Sequence, residues 1–173
     1  MRLFLLGFMG SGKTYTGKRL ADRLNMPFID LDDWIEKRQG RSISQLFSDY
    51  GEAAFRQMEK EALHSLIDYK RVVIACGGGT PCFFDNIIWM NQFGISIYLQ
   101  ASPELLYQRL ISETSHRPLL KGKKETELLQ FLSAKLEERV DFYNQASVVL
   151  NQDDPGPPAD EALFLHLKDI IGH

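Results

Sequence analysis

Residues 7–14 read GFMGSGKT, the spacing G-x-x-x-x-G-K-S/T of a loop that wraps the phosphates of ATP or GTP. The residues around it agree with that reading. Leu3 to Leu6 is an unbroken apolar run, as a strand buried on both faces of a parallel sheet requires. After the loop, Gly17, Leu20, Ala21 and Leu24 recur at helical spacing. Strand, glycine-rich loop and helix thus follow in the order that aims backbone N–H groups and a helix N-terminus at an anion. In that frame Gly10, Ser11 and Gly12 shape the loop and Tyr15 borders the nucleotide. Lys13 brings positive charge to the β- and γ-phosphates, and Thr14 offers a hydroxyl to Mg²⁺.

Outward from the loop, strands and helices alternate. MPFID reads as a second strand ending at Asp30, and WIEKRQG as a helical stretch closed by Gly40. A long amphipathic helix is expected from Glu52 to Tyr69, with Phe55, Met58, Ala62, Leu66 and Ile67 along one side. RVVIAC is a third strand running into Gly77-Gly78-Gly79, and SIYLQ a fourth. Ser102-Pro103-Glu104 starts a helix through its cap, its proline and its first-turn acid. Residues 112–124 are polar, basic and poorly periodic, a length of loop that is usually functional. A helix from Glu125 to Asn144, a strand SVVL, the turn-rich NQDDPGPPAD and a helix from Glu161 to Ile171 complete the chain. This alternation predicts one α/β domain over residues 1–173, a parallel sheet covered by helices on both faces. Ligands of such sheets sit at the carboxyl ends of the strands. The phosphate loop, Asp30 with Asp32, and the glycine triplet should therefore face one crevice.

Composition narrows the function. The 173 residues are 44% hydrophobic and 25% charged, an ordinary globular balance. A net charge of −3 argues against a broad nucleic-acid or anionic-membrane surface. The apolar opening breaks at Gly7 and leads into the phosphate loop, unlike a secretion signal. Cys76 and Cys82 make neither a disulfide framework nor a metal-site spacing, and two reduced thiols in a cytoplasmic protein are expected. His64, His116, His166 and His173 form no metal-binding spacing.

Beside a phosphate loop, DLDD supplies a second charged centre. Asp30 and Asp32 alternate at a strand end, so their side chains are expected to diverge, one toward a metal's water shell and one toward an acceptor. A hydroxyl attacking a γ-phosphate needs an acceptor for its proton, which a carboxylate provides. The competing reading makes Asp32 or Asp33 a cap for the next helix. Three glycines directly after a buried strand mean that something approaches the backbone closely. Arg117 is either a surface charge or an arginine on the transferring phosphoryl group. On charge pattern alone, Arg56, with Glu59 and Lys60 nearby, belongs to a solvated helix face or an i,i+3 ion pair, and Arg139 is unremarkable.

Six pieces together carry a family resemblance: GFMGSGKT, FIDLDDWIEKRQGRSI, GEAAFRQME, CGGGT, HRPLL and LEERVDFYNQA. The chain resembles shikimate kinases over nearly its whole length, thinning after about Asn151. The resemblance implies a five-stranded parallel sheet of the P-loop NTPase, nucleoside-monophosphate-kinase-like type, with a mobile lid at about 112–124 and a substrate-binding segment at about 32–60. It implies ATP-dependent phosphorylation of the 3-hydroxyl of shikimate with Mg²⁺, by a monomer without nucleic-acid or membrane partners. Asp30 then matches the metal-associated aspartate, and Asp32 the one that grips the shikimate hydroxyls. Arg56 and Arg139 match the pair on the substrate carboxylate, and Gly78 and Gly79 the backbone contacts to the ring. Phe55 and Glu59 fall where the family lines and braces the pocket, and Arg117 matches the lid arginine. The lid segment carries few arginines, so the adenine-stacking arginine lacks a direct match and Arg109 is the candidate. TPCF after the glycines also departs from the commoner small apolar pair. A gluconate-type sugar-acid kinase would lack the glycine triplet and this arginine pair. A GTP-dependent switch would carry an N-K-x-D motif, which is absent, and a non-catalytic nucleotide-binding protein would not retain Lys13, Asp30, Asp32 and Arg117 together.

Overall fold

Leu3, Phe4, Leu5 and Leu6 are each completely buried, and they form the centre of the molecule. The computed structural model describes residues 1–112 and 125–171. Among them the strands are β1 (Arg2–Leu6), β2 (Phe28–Asp30), β3 (Val72–Ala75), β4 (Ile95–Gln100) and β5 (Val148–Asn151). All pair in parallel, in the order β2-β3-β1-β4-β5. Leu5 stands opposite Ala75 on one side and Ile97 on the other. The helices are α1 (Lys13–Leu24), α2 (Leu31–Gln39), α3 (Ile43–Ser65), α4 (Asn86–Phe93), α5 (Pro103–Ser112), α6 (Glu125–Tyr143) and α7 (Ala159–Ile171). The expected architecture is therefore present, a five-stranded parallel sheet with helices on both faces.

The period of two along the strands divides the core. Leu3, Leu5, Val73, Ile97 and Leu99 point to one face, against Leu20 and Ala21 of α1 and Leu163 and Leu167 of α7. Phe4, Leu6, Val72, Ile74 and Tyr98 point to the other, against Ile35, Phe55, Leu63, Met90 and Tyr143. From β1 the chain passes to α1 on the first face, and from its neighbour β3 toward α4 on the second. Adjacent parallel strands whose exits diverge leave a crevice at their carboxyl ends, where ligands of open α/β sheets bind. Among the described residues no helix is long and apolar enough to cross a membrane.

Three local features differ from the sequence reading. The helix expected from Glu52 begins at Ile43, where Ser42 and Gln45 form a capping box, and it is broken at Gly51 (φ 80°, ψ 171°). Its α-helical part stops at Ser65, followed by a 3₁₀ turn over Leu66–Asp68. The helix α4 carries no side-chain cap, and its Asp85 N-cap has φ 56°, so it lacks the start signal that marks other helices. The remaining elements begin and end within three residues of their expected limits, the largest difference being α2, which starts at Leu31 and not at Trp34.

Gly94, between α4 and β4, is tight for steric reasons and not conformational ones. Its φ of −175° suits any residue, but a Cβ built there would overlap the Arg2 carbonyl oxygen and stand 2.7 Å from the Phe4 ring. Gly94→Ala is expected to destabilise the protein by about 1–3 kcal/mol, the usual range for overpacking. For a chain of this size that lowers Tm by roughly 2–4 °C per kcal/mol, measurable by calorimetry. An unchanged Tm would show that the α4–β4 junction is free to move away from β1.

Candidate active site

The loop after β1 is held open by its own backbone. Gly10 (φ 81°) and Gly12 (φ 86°) take left-handed conformations that a side chain would strain. At Gly7 a Cβ would stand 2.6 Å from Ser11 Oγ and 2.9 Å from the Leu99 carbonyl oxygen. Gly12 is the N-cap of α1 and, without a side chain, makes no side-chain cap hydrogen bond to it. Ser11 Oγ is buried and lacks a hydrogen-bond partner among the described residues. Lys13 Nζ donates to the carbonyls of Gly7 and Phe8, both at 2.9 Å. Helix N-terminus, inward lysine and orphaned hydroxyl together fit a polyphosphate.

At the end of β2, Asp30 accepts from Thr14 Oγ1 at 2.7 Å through one oxygen and from the Asp32 backbone N–H at 3.1 Å through the other. Asp30, and neither Asp32 nor Asp33, is thus the cap of α2. The expected divergence of Asp30 and Asp32 is corrected here. Residues two apart in a strand share a face, so alternation was no ground for separating them; the strand in any case ends at Asp30, and Asp32 stands in the first turn of α2. Both line a cleft of about 560 Å³ with Gly12, Lys13, Thr14 and Gly78. Burial, then the negative charges of Asp30 and Glu59, push Asp32 up to about 6 against the opposing pull of Lys13. Thr14 and Asp30 are hard oxygen donors, the set that suits a Mg²⁺ ion arriving with phosphates and water.

Across the cleft, each glycine of the triplet gives way to charged side chains. A Cβ on Gly77 would stand 2.9 Å from Glu59 Oε1 and 3.1 Å from Asp32 Oδ1. One on Gly78 would stand 3.3 Å from Arg139 Nη1, and one on Gly79 would stand 2.6 Å from Arg56 Nη1 and Nη2. Arg56 is buried, donates from Nη1 to Glu59 Oε2 at 3.0 Å, and lies over the Phe83 ring at 4.4 Å. Its i,i+3 partner is as the charge pattern suggested, but the pair is inside the protein and not on a solvated face. Glu59 is 1% exposed, and its other oxygen accepts from Thr80 Oγ1 at 2.6 Å. Arg139, half-buried on α6, lies over the Phe8 ring at 5.2 Å. Tyr143, one turn further on, donates to the Gly78 carbonyl at 2.6 Å. Phe55 is buried and backs the Arg56 guanidinium at 5.3 Å.

On the far side of the loop, Arg109 Nη1 donates to the Ser11 carbonyl at 3.2 Å and to Gln152 Oε1 at 3.1 Å. Gln152 in turn donates to the Ser11 carbonyl at 3.0 Å. Arg109 and Gln152 border a cavity of about 400 Å³ with Gly10, Gly12, Tyr15 and Pro158. Tyr15 stands at its mouth, 67% exposed. Arg117 and the expected lid at 112–124 lie outside the described residues, save for Ser112, which ends α5. The sequence reading missed Thr80, Phe83, Tyr143 and Gln152. None sits in a spacing that signals a site, although the proximity of Phe83 to the glycine triplet was a usable hint.

A polyphosphate loop and a carboxylate poised near neutrality, sharing one cleft at the switch point of a parallel sheet, define a P-loop phosphotransferase. The family model described as shikimate kinase matches residues 9–169. A shikimate kinase of Bacteroides thetaiotaomicron is 45% identical over 154 residues, covering 89% of this chain and 88% of its own. A crystal structure of shikimate kinase from the same species has a TM-score of 0.89 at 41% identity, covering 100% of this chain and 99% of that one. A structure of shikimate kinase from Acinetobacter baumannii in complex with shikimate has a TM-score of 0.81 at 32% identity, covering 99% and 93%. This chain belongs to the shikimate kinase family, and with it to the ATP-dependent kinases.

The raised Asp32 makes a separable prediction. Between 3.8, its ordinary value, and about 6 the native protein holds a proton that the unfolded chain releases. Stability from this group therefore falls as pH rises through that window, and ionised Asp32 is a destabilising charge at neutral pH. Without metal or nucleotide, Asp32→Asn should have a higher Tm than the parent at pH 7, with the advantage vanishing toward pH 4. Phosphoryl transfer by the same variant should fall by about 10²-fold or more, the usual contribution of a general base. No gain in Tm at pH 7 would mean that Asp32 is not strained by its neighbours.

Proposed function

We propose that this chain transfers the γ-phosphoryl group of ATP to the 3-hydroxyl of shikimate, giving shikimate 3-phosphate and ADP on the route to chorismate and the aromatic amino acids. The observation that carries the acceptor is the pair of guanidinium groups against Gly78 and Gly79, on the cleft that also holds Asp32. A small polyol acid offers one carboxylate and several hydroxyls. Arginine forks suit the first and an aspartate suits the second.

Each residue then has a task. The backbone N–H groups of Gly10 to Thr14 and the α1 N-terminus receive the β- and γ-phosphates. Lys13 exchanges the carbonyls of Gly7 and Phe8 for phosphate oxygens. Arg56 and Arg139 hold the shikimate carboxylate, Glu59 and Phe55 hold Arg56, and Gly78 and Gly79 let the ring lie against the backbone. Asp32 orients the 3-hydroxyl and accepts its proton as the oxygen attacks, a role favoured by a pKa near the working pH. Thr14 and Asp30 would hold Mg²⁺, whose chemistry is to neutralise charge on the phosphates. Arg109, Tyr15 and Gln152 border the adenine. The lid at 112–124 and the action of Arg117 on the transferring group rest on the HRPLL motif. In this reading the chain acts as a monomer, and dependence on ATP supports action in the cytoplasm.

A coupled ADP-release assay with shikimate, gluconate and the carboxamide analogue of shikimate tests the proposal. Turnover is expected with shikimate, while the carboxamide should lose about 10⁴-fold or more in kcat/KM, since it leaves paired guanidinium groups facing a neutral group. Arg139→Ala should raise KM for shikimate far more than KM for ATP, and Arg139→Lys should restore part of the loss because it keeps charge without the fork. Comparable turnover of gluconate, or a loss confined to ATP, would overturn the assignment.

A further inference from the structure

The guanidinium of Arg56 is enclosed on nearly all sides. Its faces are covered by aromatic rings, Phe83 at 4.4 Å, Phe55 at 5.3 Å and Phe47 at 5.7 Å. Nη1 is tied to Glu59, which is buried and fixed in turn by Thr80. An incoming carboxylate must therefore use the edge made by Nε and Nη2. That edge already has an occupant. Glu52 Oε1 accepts from Nε at 3.3 Å and from Nη2 at 3.2 Å.

The two glutamates on Arg56 differ in kind. Glu59 is an internal anchor, whereas the Glu52 side chain is 59% exposed. Glu52 engages the edge with one oxygen only, at distances longer than the roughly 2.7–2.9 Å of a tight charge-assisted bond. It directly follows Gly51, whose left-handed backbone interrupts α3 and around which a built Cβ meets nothing within 4 Å. The Glu52 carboxylate itself stands largely in water. Its release to water costs little, and its presence stops the edge from standing unpaired before the acceptor arrives.

We propose that Glu52 is an internal competitor for the acceptor's carboxylate: it occupies the Nε–Nη2 edge of Arg56 in the acceptor-free enzyme and is displaced when the acid binds, so it sets the affinity for the acid without touching the chemistry. The inference rests on the reading that Arg56 holds the substrate carboxylate. Removing the competing charge should tighten acid binding by about two- to fivefold, the range spanned by exposed ion pairs.

The test is steady-state kinetics of Glu52→Gln, Glu52→Ala, Arg56→Ala and the double variant Glu52→Gln/Arg56→Ala, with calorimetry to confirm that each folds. KM for shikimate should fall about two- to fivefold in both Glu52 variants, with kcat and KM for ATP unchanged. The gain should vanish in the Arg56→Ala background, because the competition no longer exists. An unchanged or raised KM for shikimate in Glu52→Gln, alongside a large rise in Arg56→Ala, would overturn the competition alone and leave Glu52 as an orienting group. If Arg56→Ala leaves KM for shikimate unchanged, the assignment of Arg56 to the carboxylate fails and the competition fails with it.

Discussion

The half of the cleft built around the glycine triplet depends on one buried carboxylate. Glu59 has almost no contact with water, and a charge in that position is costly unless its oxygens are paired. Here one oxygen takes Arg56 from the same helix, and the other takes Thr80 from the turn after β3. The pairing ties α3 to the glycine segment and fixes the guanidinium against Gly79. It also explains the first glycine of the triplet, since a side chain at position 77 would collide with Glu59 and Asp32. The same charge reaches the cysteines. Burial and Glu59 hold Cys82 up at about 11 against the pull of Arg139 and Arg56, so it stays a thiol beside two cations.

Topology brings this half to the phosphates. β1 and β3 are neighbours, and the Cys76 N–H donates to the Leu5 carbonyl at 3.0 Å, extending their pairing to the last residue before the glycines. The phosphate loop and the triplet therefore start from adjacent points of one rigid edge. On the other side, Tyr143 stacks on Tyr98 with ring centroids 4.9 Å apart and spends its hydroxyl on the Gly78 carbonyl. This contact docks the end of α6 on the triplet, with Arg139 one turn earlier on the same helix. Sheet pairing sets the phosphate side and side-chain contacts set the acid side, so the two can be altered separately.

What could be read in the sequence follows from this division. The phosphate loop was legible because its chemistry is local: glycines, lysine and threonine at fixed spacing between a buried strand and a helix. The sheet was legible because strands buried on both faces are continuous apolar runs. Arg56 and Arg139 were not legible from their own surroundings. The pattern around Arg56 is that of a surface ion pair, and only the fold shows that Glu59 and three phenylalanines enclose it. α4 escaped because NIIWMNQF has no cap and is largely apolar around its circumference, so it carries no clear helical stripe. The reading of Asp32 failed on its geometry: residues two apart in a strand share a face, so alternation could not separate it from Asp30, and the boundary falls between the two, with the strand ending at Asp30 and Leu31 opening α2.

That one-residue boundary matters for the chemistry. A site for an anionic acceptor and a polyphosphate would be expected to exclude carboxylates, yet Asp30, Asp32 and Glu59 gather around it. Two of them are held by different partners: Asp30 by Thr14 and the α2 N-terminus, Glu59 by Arg56 and Thr80. Asp32 has no comparable side-chain partner among the described residues beyond the pull of Lys13, so burial first, and then the repulsion of the other two, raise its affinity for a proton. The cluster thus divides its labour by hydrogen bonding. The two satisfied carboxylates engage Thr14 and Arg56, and through their charge they add to the burial that raises the third's affinity for a proton. A proton acceptor tuned in this way needs no histidine, because its basicity is supplied by the groups that build the rest of the site.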